Sequence, residues 1–401
     1  MKVMGYNKWI GFVVAGILIL IACQREEAEA PVSGYSTEAI AFTSPYMTTR
    51  STEMRYGSFE TGDEVGVLGY CWAENGDIDV SSSQWDTKKV FAMPDMFYNE
   101  RLTYTEEGLW KYDGYRQRQG DRYVDMEGIC PWYENADYTY AFFAYYPYAG
   151  LDRSNRGTIL AEDGTSMGTI ELSGEEDRSD PTITYTMPYD GLAEDASRDW
   201  RLVPDFMLAY KVNHRKSDGP VDLKFRHLLC ALEFEINNFN PKPVSITQLA
   251  FSGKNFYKSV SVTGQENGYH IGEERYSGNF NIISNAIEIG GAEVNAEGEV
   301  TAPKTMRLEA DKAGSIIDLL FITDELGKIT DADGSCSILI TANMEGEQIG
   351  DNRHMPIDSE MSFRAGVRSI FSINIVGNDF ILQIRSDDNW EDGGDSDIVF
   401  E

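Results

Sequence analysis

From Glu38 to Ile384 the apolar residues come in short runs, and a helical period is largely absent. Val65-Gly66-Val67-Leu68-Gly69-Tyr70-Cys71-Trp72 is one such run. Others are Thr182 to Thr186, Phe206 to Tyr210, Leu228 to Ile236, Ser245 to Phe251, Ile316 to Thr323, Ser337 to Thr341, Ser369 to Val376 and Phe380 to Ile384. They are rich in β-branched and aromatic residues and are punctuated by Gly, Asn, Asp and Pro, which is the pattern of strands and turns. The expected fold is therefore all-β, most simply two consecutive β-sandwich domains. A chain of 401 residues is long enough for two cores. Asn237-Asn238-Phe239-Asn240 followed by Pro241-Lys242-Pro243 is the clearest break, and it divides the chain into 37–240 and 241–401.

The aromatic residues are unevenly spread. Residues 98 to 148 hold eleven of the 22 tyrosines, ending in the run Tyr138 to Tyr148, which reads as a strand buried on at least one face. Such a concentration makes either an aromatic core or a recognition surface.

The N-terminus carries a different signal. Lys2 and Lys8 precede an apolar run from Trp9 to Ala22, about the length of a secretory h-region and too short to span a hydrocarbon core of ~30 Å. The run ends in Leu20-Ile21-Ala22-Cys23, which looks like a bacterial lipobox. In that class the signal, here residues 1–22, is cut off, and the cysteine, here Cys23, takes the diacylglycerol and the acyl chain that give stable anchoring. Residues 23–36 read as an acidic linker, since Gln24-Arg25-Glu26-Glu27 and the residues after it are polar and without period. They also resemble the surface-export signal of Bacteroidetes lipoproteins. The formal charge of −32 becomes −34 once Lys2 and Lys8 leave, which argues against nucleic acid and anionic lipid as partners. Cys71, Cys130, Cys230 and Cys336 remain; an oxidising exterior permits disulfides, and three of the four sit in apolar runs where free buried thiols are equally expected.

Catalytic patterns are missing. The histidines at 214, 227, 270 and 354 are widely spaced, with no HExxH and no zinc-type His/Cys spacing. His227, in Phe225-Arg226-His227-Leu228-Leu229, reads as a structural strand residue. No GxSxG, P-loop or GxGxxG occurs. Asp331-Ala332-Asp333-Gly334-Ser335 has the opening of a calcium loop without its closing glutamate, and a hairpin turn is the simpler account. The acidic tail from Asp387 to Asp397 is the kind of charge run that is ordinarily solvated. The sequence suggests no enzyme, no cofactor and no metal.

Several pieces occur together and in order. They are the lipobox cysteine, Ile40-Ala41-Phe42 followed by Thr49-Arg50, Gly62-Asp63-Glu64-Val65-Gly66-Val67, Trp110, Pro131-Trp132, Tyr145-Tyr146-Pro147-Tyr148, Asp205-Phe206-Met207, Phe225-Arg226-His227, Phe363-Arg364-Ala365-Gly366 and Trp390. In this the chain resembles the Bacteroidales fimbrillin family, lipoprotein pilins and pilus-associated proteins of Bacteroides-type fimbriae. The resemblance implies two β-sandwiches of transthyretin-like or Greek-key type, a fimbrial role in adhesion, and an outer-membrane lipid anchor. Other fimbrial subunits would be its partners, and host or bacterial surface receptors would be further ones. It also implies maturation by cleavage after an arginine that follows the first strand. Here that is Arg50, with Arg55 second, and Ile40 and Phe42 belong to the strand that is lost. An extended segment of a neighbouring subunit would fill the groove. Phe380, Ile381, Leu382, Gln383 and Ile384 are the first candidates for that donor, and Ile398-Val399-Phe400 the second, because the chain continues past Trp390 where the family often stops.

The alternative is a surface lipoprotein that captures glycans for an outer-membrane uptake system, with the tyrosine-rich stretch as its platform. It requires two or three coplanar exposed aromatic rings.

Overall fold

The computed structural model describes residues 39–43, 59–72, 94–119, 122–133, 138–161, 164–173, 182–188, 203–251, 259–263, 269–271, 280–281, 306–322, 336–358, 361–387 and 398–399. The expected signal (1–22), Cys23 and the linker, Arg50, Arg55, residues 331–335 and the tail from 388 to 397 lie outside them.

Among the described residues the protein is all-β, with one 3-10 turn at Lys216–Asp218. The strands of the first part are β1 (Phe42–Thr43), β2 (Glu64–Trp72), β3 (Met96–Tyr104), β4 (Leu109–Lys111), β5 (Tyr115–Gln119), β6 (Arg122–Met126), β7 (Thr139–Tyr146), β8 (Arg156–Leu160), β9 (Ser166–Ser173), β10 (Thr182–Thr186), β11 (Met207–His214), β12 (Val221–Asp222) and β13 (Arg226–His227). Then follow β14 (Cys230–Asn238), β15 (Val244–Phe251), β16 (Ser259–Thr263), β17 (Tyr269–Ile271), β18 (Phe280–Asn281), β19 (Met306–Leu308), β20 (Lys312–Phe321), β21 (Ser337–Met344), β22 (Glu347–Pro356), β23 (Arg368–Val376), β24 (Asp379–Asp387) and β25 (Ile398–Val399).

Four sheets result. The largest runs β12-β1-β4-β3-β2-β7-β11-β13, with the hairpin β5-β6 joined to β3. A second runs β17-β16-β10-β9-β8, a third β20-β14-β23-β24-β25, and a fourth β18-β15-β21-β22 with β19 on β15. The tyrosine-rich run becomes β7, and it is buried on both faces. Its period of two divides the side chains between two cores. Tyr140, Phe142, Ala144 and Tyr146 face an aromatic core with Phe42, Phe97, Trp110 and Trp132. Ala141, Phe143 and Tyr145 face the other way, toward Ile170, Ile183 and Tyr185 of the second sheet. Only a residue without a side chain fits opposite Tyr145: a Cβ on Gly66 of β2 would stand 2.5 Å from that ring.

The third and fourth sheets stack on each other. Leu232, Phe234 and Ile236 of β14 and Phe371, Ile373 and Ile375 of β23 meet Val244, Ile246, Ile338 and Ile340. A bulge between Ile246 and Gln248 shifts the register of β15, so Leu249 faces the core where strict alternation would have turned it out. The opposite face of β14 carries Glu233 and Glu235, which pair with Arg368 and Arg385 at 3.4 and 3.1 Å.

The expected division near residue 240 falls after β14, whereas β14 pairs with β20 and β23. Sheet partners change between β13 and β14, ten or so residues earlier. Pairing also runs backwards across the Pro241-Lys242-Pro243 break, because β16 and β17 join the sheet of β8 to β10. All four described cysteines are free thiols, Cys71 half-buried and the other three buried.

Candidate functional site

The feature that sets this chain apart from a sealed sandwich is the seat of β1. Ile40 and Phe42 stand on one side of the strand, two residues apart, and neither has any exposed surface. Phe42 packs edge-on against Phe97 at 5.3 Å, Phe142 at 5.4 Å and Tyr112 at 6.1 Å. Each such side chain contributes about 1.5–3 kcal/mol by its removal from water. The strand is also held on both edges. It is antiparallel to β4, Phe42 opposite Trp110, and parallel to β12, Phe42 opposite Val221. Val221 and Leu223 donate their N–H groups to the carbonyls of Ala41 and Thr43, at 2.7 and 2.8 Å.

Upstream, the Ile40 N–H donates to the Cys130 carbonyl at 2.8 Å, and Ala39 forms a bridge with Pro131. One hydroxyl ties the two segments together. Tyr112 donates to the Ile40 carbonyl at 2.6 Å while accepting from the Cys130 N–H at 3.2 Å. Burial pushes the Tyr112 phenol far above its ordinary range, and it lifts the Cys130 thiol to about 12. Both groups therefore keep their protons at any physiological pH, and the phenol can act as donor throughout. If β1 leaves, this seat loses two apolar plugs and uncovers the backbone groups of β4 and β12, which is the condition for recruiting another strand.

The donor candidates Phe380 to Ile384 lie in β24. This strand pairs along its whole length with β23, through a two-residue turn in which Gly377 takes φ +62°. Its other edge pairs with β25 only at Arg385 and Ser386. Phe380, Leu382 and Ile384 are partly buried against the core, while Ile381 and Gln383 face solvent, Ile381 being 47% exposed. The second donor candidate, Ile398-Val399, forms β25, and Phe400 lies outside the described residues.

The remaining expectations concern chemistry and sugars. His227 is buried as a strand residue and its Nδ1 lies 2.8 Å from the Asp205 carboxylate. Among the described residues no group of three or more His, Cys, Asp or Glu side chains is placed to hold a metal ion. None of the eleven tyrosines between 98 and 148 is exposed; each is buried or half-buried. They form core, not a coplanar surface platform. An open cleft of about 550 Å3 lies over β8, β9 and β10, lined among others by Asp152, Arg156, Thr158, Thr169 and Glu171. No aromatic side chain lines it, and Arg156 and Glu171 already pair at 2.8 Å.

A family model described as fimbrillin-like matches residues 49–387. The chain belongs to the fimbrillin-like family. Membership makes it a fimbrial-type chain. This fimbrillin-like chain is similar to the fimbrium subunit Fim1C of Phocaeicola vulgatus, with 28% identity over 200 residues, 49% of this chain and 41% of the relative. The match thus spans about two fifths of that relative's length. The fold of this chain is similar to that of a crystallised fimbrial protein from Bacteroides vulgatus, with a TM-score of 0.53 and 17% identity over 87% of this chain and 98% of the other.

Sequence reading picked out Ile40 and Phe42 but missed what holds them. Val221 belongs to a two-residue strand, with Leu223 just past its end and no alternating run to announce either, and Tyr112 looked like one tyrosine among eleven.

Proposed function

We propose that this protein is an outer-membrane lipoprotein, anchored through Cys23, that serves as a fimbrial subunit and joins its neighbours by strand exchange. Cleavage at Arg50, or at Arg55, would release the segment that carries Ile40 and Phe42. The vacated seat would then take an extended segment of the next subunit, with Phe380 to Ile384 as the donor. The observation that carries this reading is the contrast between two strands. β1 and the residues just before it form a short plug whose Ile40 and Phe42 side chains are fully buried, and the strand is held at both edges by partners from distant parts of the chain. β24 presents an alternating apolar face that is only half covered, and most of its outer edge is paired to nothing among the described residues. The same reading divides the chain into a unit ending with β13 and a unit beginning with β14, the strands β16 and β17 returning to the first.

The test uses the chain from Gln24 onward, cut by limited trypsin and followed by N-terminal sequencing and native and SDS electrophoresis. New N-termini at Ser51 or Tyr56, together with conversion of monomer to an SDS-resistant ladder, are expected. The double substitution Arg50→Ala, Arg55→Ala should remain monomeric. A chain that is cut at these sites and stays a monomer would rule out assembly of this subunit with itself.

A further inference from the structure

His214, the last residue of β11, lies directly behind the seat of β1. It has 2% of its surface exposed, and its Nε2 lies 3.0 Å from the Gly219 carbonyl, so the ring closes the turn that leads from β11 into β12. On one face it stacks on Trp132 at 5.6 Å and 27°, and Phe142 stands edge-on at 6.3 Å. These contacts reach both flanks of β1. Gly219 is two residues from Val221, which donates to Ala41; Trp132 adjoins Pro131, which bridges to Ala39; and Phe142 is itself in contact with Phe42.

The ring's second nitrogen is what makes the position unusual. Nδ1 is buried with no hydrogen-bond partner, and the nearest carboxylate oxygen, on Asp218, stands 4.0 Å away. That carboxylate is engaged by the Arg215 N–H at 2.8 Å and by the Ser217 hydroxyl at 3.4 Å. The other charge acting on the ring is that of Lys211 on its own strand, which opposes protonation. Tyr140, which packs on Trp132 at 4.9 Å, is kept neutral by burial, its phenol lifted to about 12. An imidazolium at this site would place a charge between two aromatic walls with one distant counter-ion.

We propose that His214 is an acid-sensitive latch on β1: protonation of Nδ1 opens the β11–β12 turn and loosens the strand that β12 holds. Burial sets the ring below the ordinary imidazole value, the Gly219 carbonyl and Asp218 pull it partly back, and Lys211 adds to the depression. The closed state therefore binds fewer protons than the opened one. Its stability is complete above the opened state's value of about 6.5 and declines below it, by up to about tenfold in the opening equilibrium per pH unit, until the closed state's own value is reached.

The experiment is hydrogen–deuterium exchange on the uncut chain at pH 7.5 and pH 5.0, corrected for intrinsic rates, with β23 peptides as internal reference. Peptides covering β1 and β12 should lose protection relative to β23 at the lower pH, by at most about thirtyfold. His214→Gln, which keeps a donor for Gly219 but cannot be charged, should abolish that difference. A β1 that follows β23 at both pH values overturns the latch, and so does a Gln variant that keeps the full acid loss. Should the Gln variant not fold, Asp218→Asn serves: its amide oxygen still accepts from Arg215, but the counter-charge is gone. Acid loss in β1 should then deepen at pH 5.0, and an unchanged loss overturns the proposal. The measurement reads an uncut monomer, so it stands or falls separately from strand exchange between subunits.

Discussion

Phe42→Ala is expected to destabilise the uncut chain by about 3–5 kcal/mol, the range for removing a fully buried phenylalanine. The ring is surrounded by Phe97, Tyr112 and Phe142, and each of those is fixed by further contacts: Phe97 packs on Tyr115, Tyr112 is hydrogen-bonded at both sides of its hydroxyl, and Phe142 belongs to a strand buried on both faces. The pocket cannot collapse, so the cavity persists and the loss lies toward the upper end. Urea unfolding of wild type and variant measures it. A second comparison gives the result its functional meaning. Fimbriae assembled from cut subunits would no longer contain Phe42, so their stability should not depend on whether the precursor carried Phe or Ala at that position. Phe97→Ala, by contrast, should weaken precursor and fibre alike, because Phe97 belongs to the seat and not to the plug. Weaker fibres from the Phe42→Ala precursor would mean that β1 stays in place on assembly.

The parts of this fold that could be read from the sequence are those whose burial is strong and local. β7, β14, β21 and β23 are apolar runs between turn residues, and the residues that mark them are the ones that fill the cores. The hairpin β5-β6 and the long strand β22 were invisible for the opposite reason. Their sequences, YRQRQ, RYVDM and EQIGDNRHMP, carry no apolar alternation and are largely exposed or half-buried. They are strands because a neighbour offers its edge, which is information held elsewhere in the chain. The seat of β1 divides along the same line. Ile40 and Phe42 announce a strand through their spacing. The parallel partner at Val221 and Asp222 lies 179 positions away from Phe42 and Thr43, and no local pattern encodes such a pairing. The placement of β14 has a similar cause: its run was plain, but its partners β20 and β23 lie beyond the Pro241-Lys242-Pro243 break that looked like the end of a domain.

Asp205→Ala is expected to cost about 1–3 kcal/mol, the range for leaving one partner of a buried hydrogen bond unsatisfied. Asp205 and His227 are 6% and 2% exposed, and they meet where the chain leaves the first group of sheets. On the Asp205 side, Phe206 stacks on Tyr185 at 4.7 Å, and its carbonyl accepts from the Leu228 N–H at 2.9 Å. On the His227 side, Met207 is its partner in the β11–β13 pairing, and β14 begins three residues later. The carboxylate thus pins β13 just before the change of sheet partners, and its loss should be felt on both sides of that point. Calorimetry of the wild-type chain and the variant reads this as a lowered midpoint together with separation of the transition into two, since units that no longer support each other cease to unfold as one. Asp205→Asn keeps an acceptor for the imidazole and should cost markedly less. A loss for Asp205→Ala under about 1 kcal/mol, the worth of an exposed ion pair, would show that the pair merely fills space and that the junction is held by the Phe206 and Leu228 contacts alone.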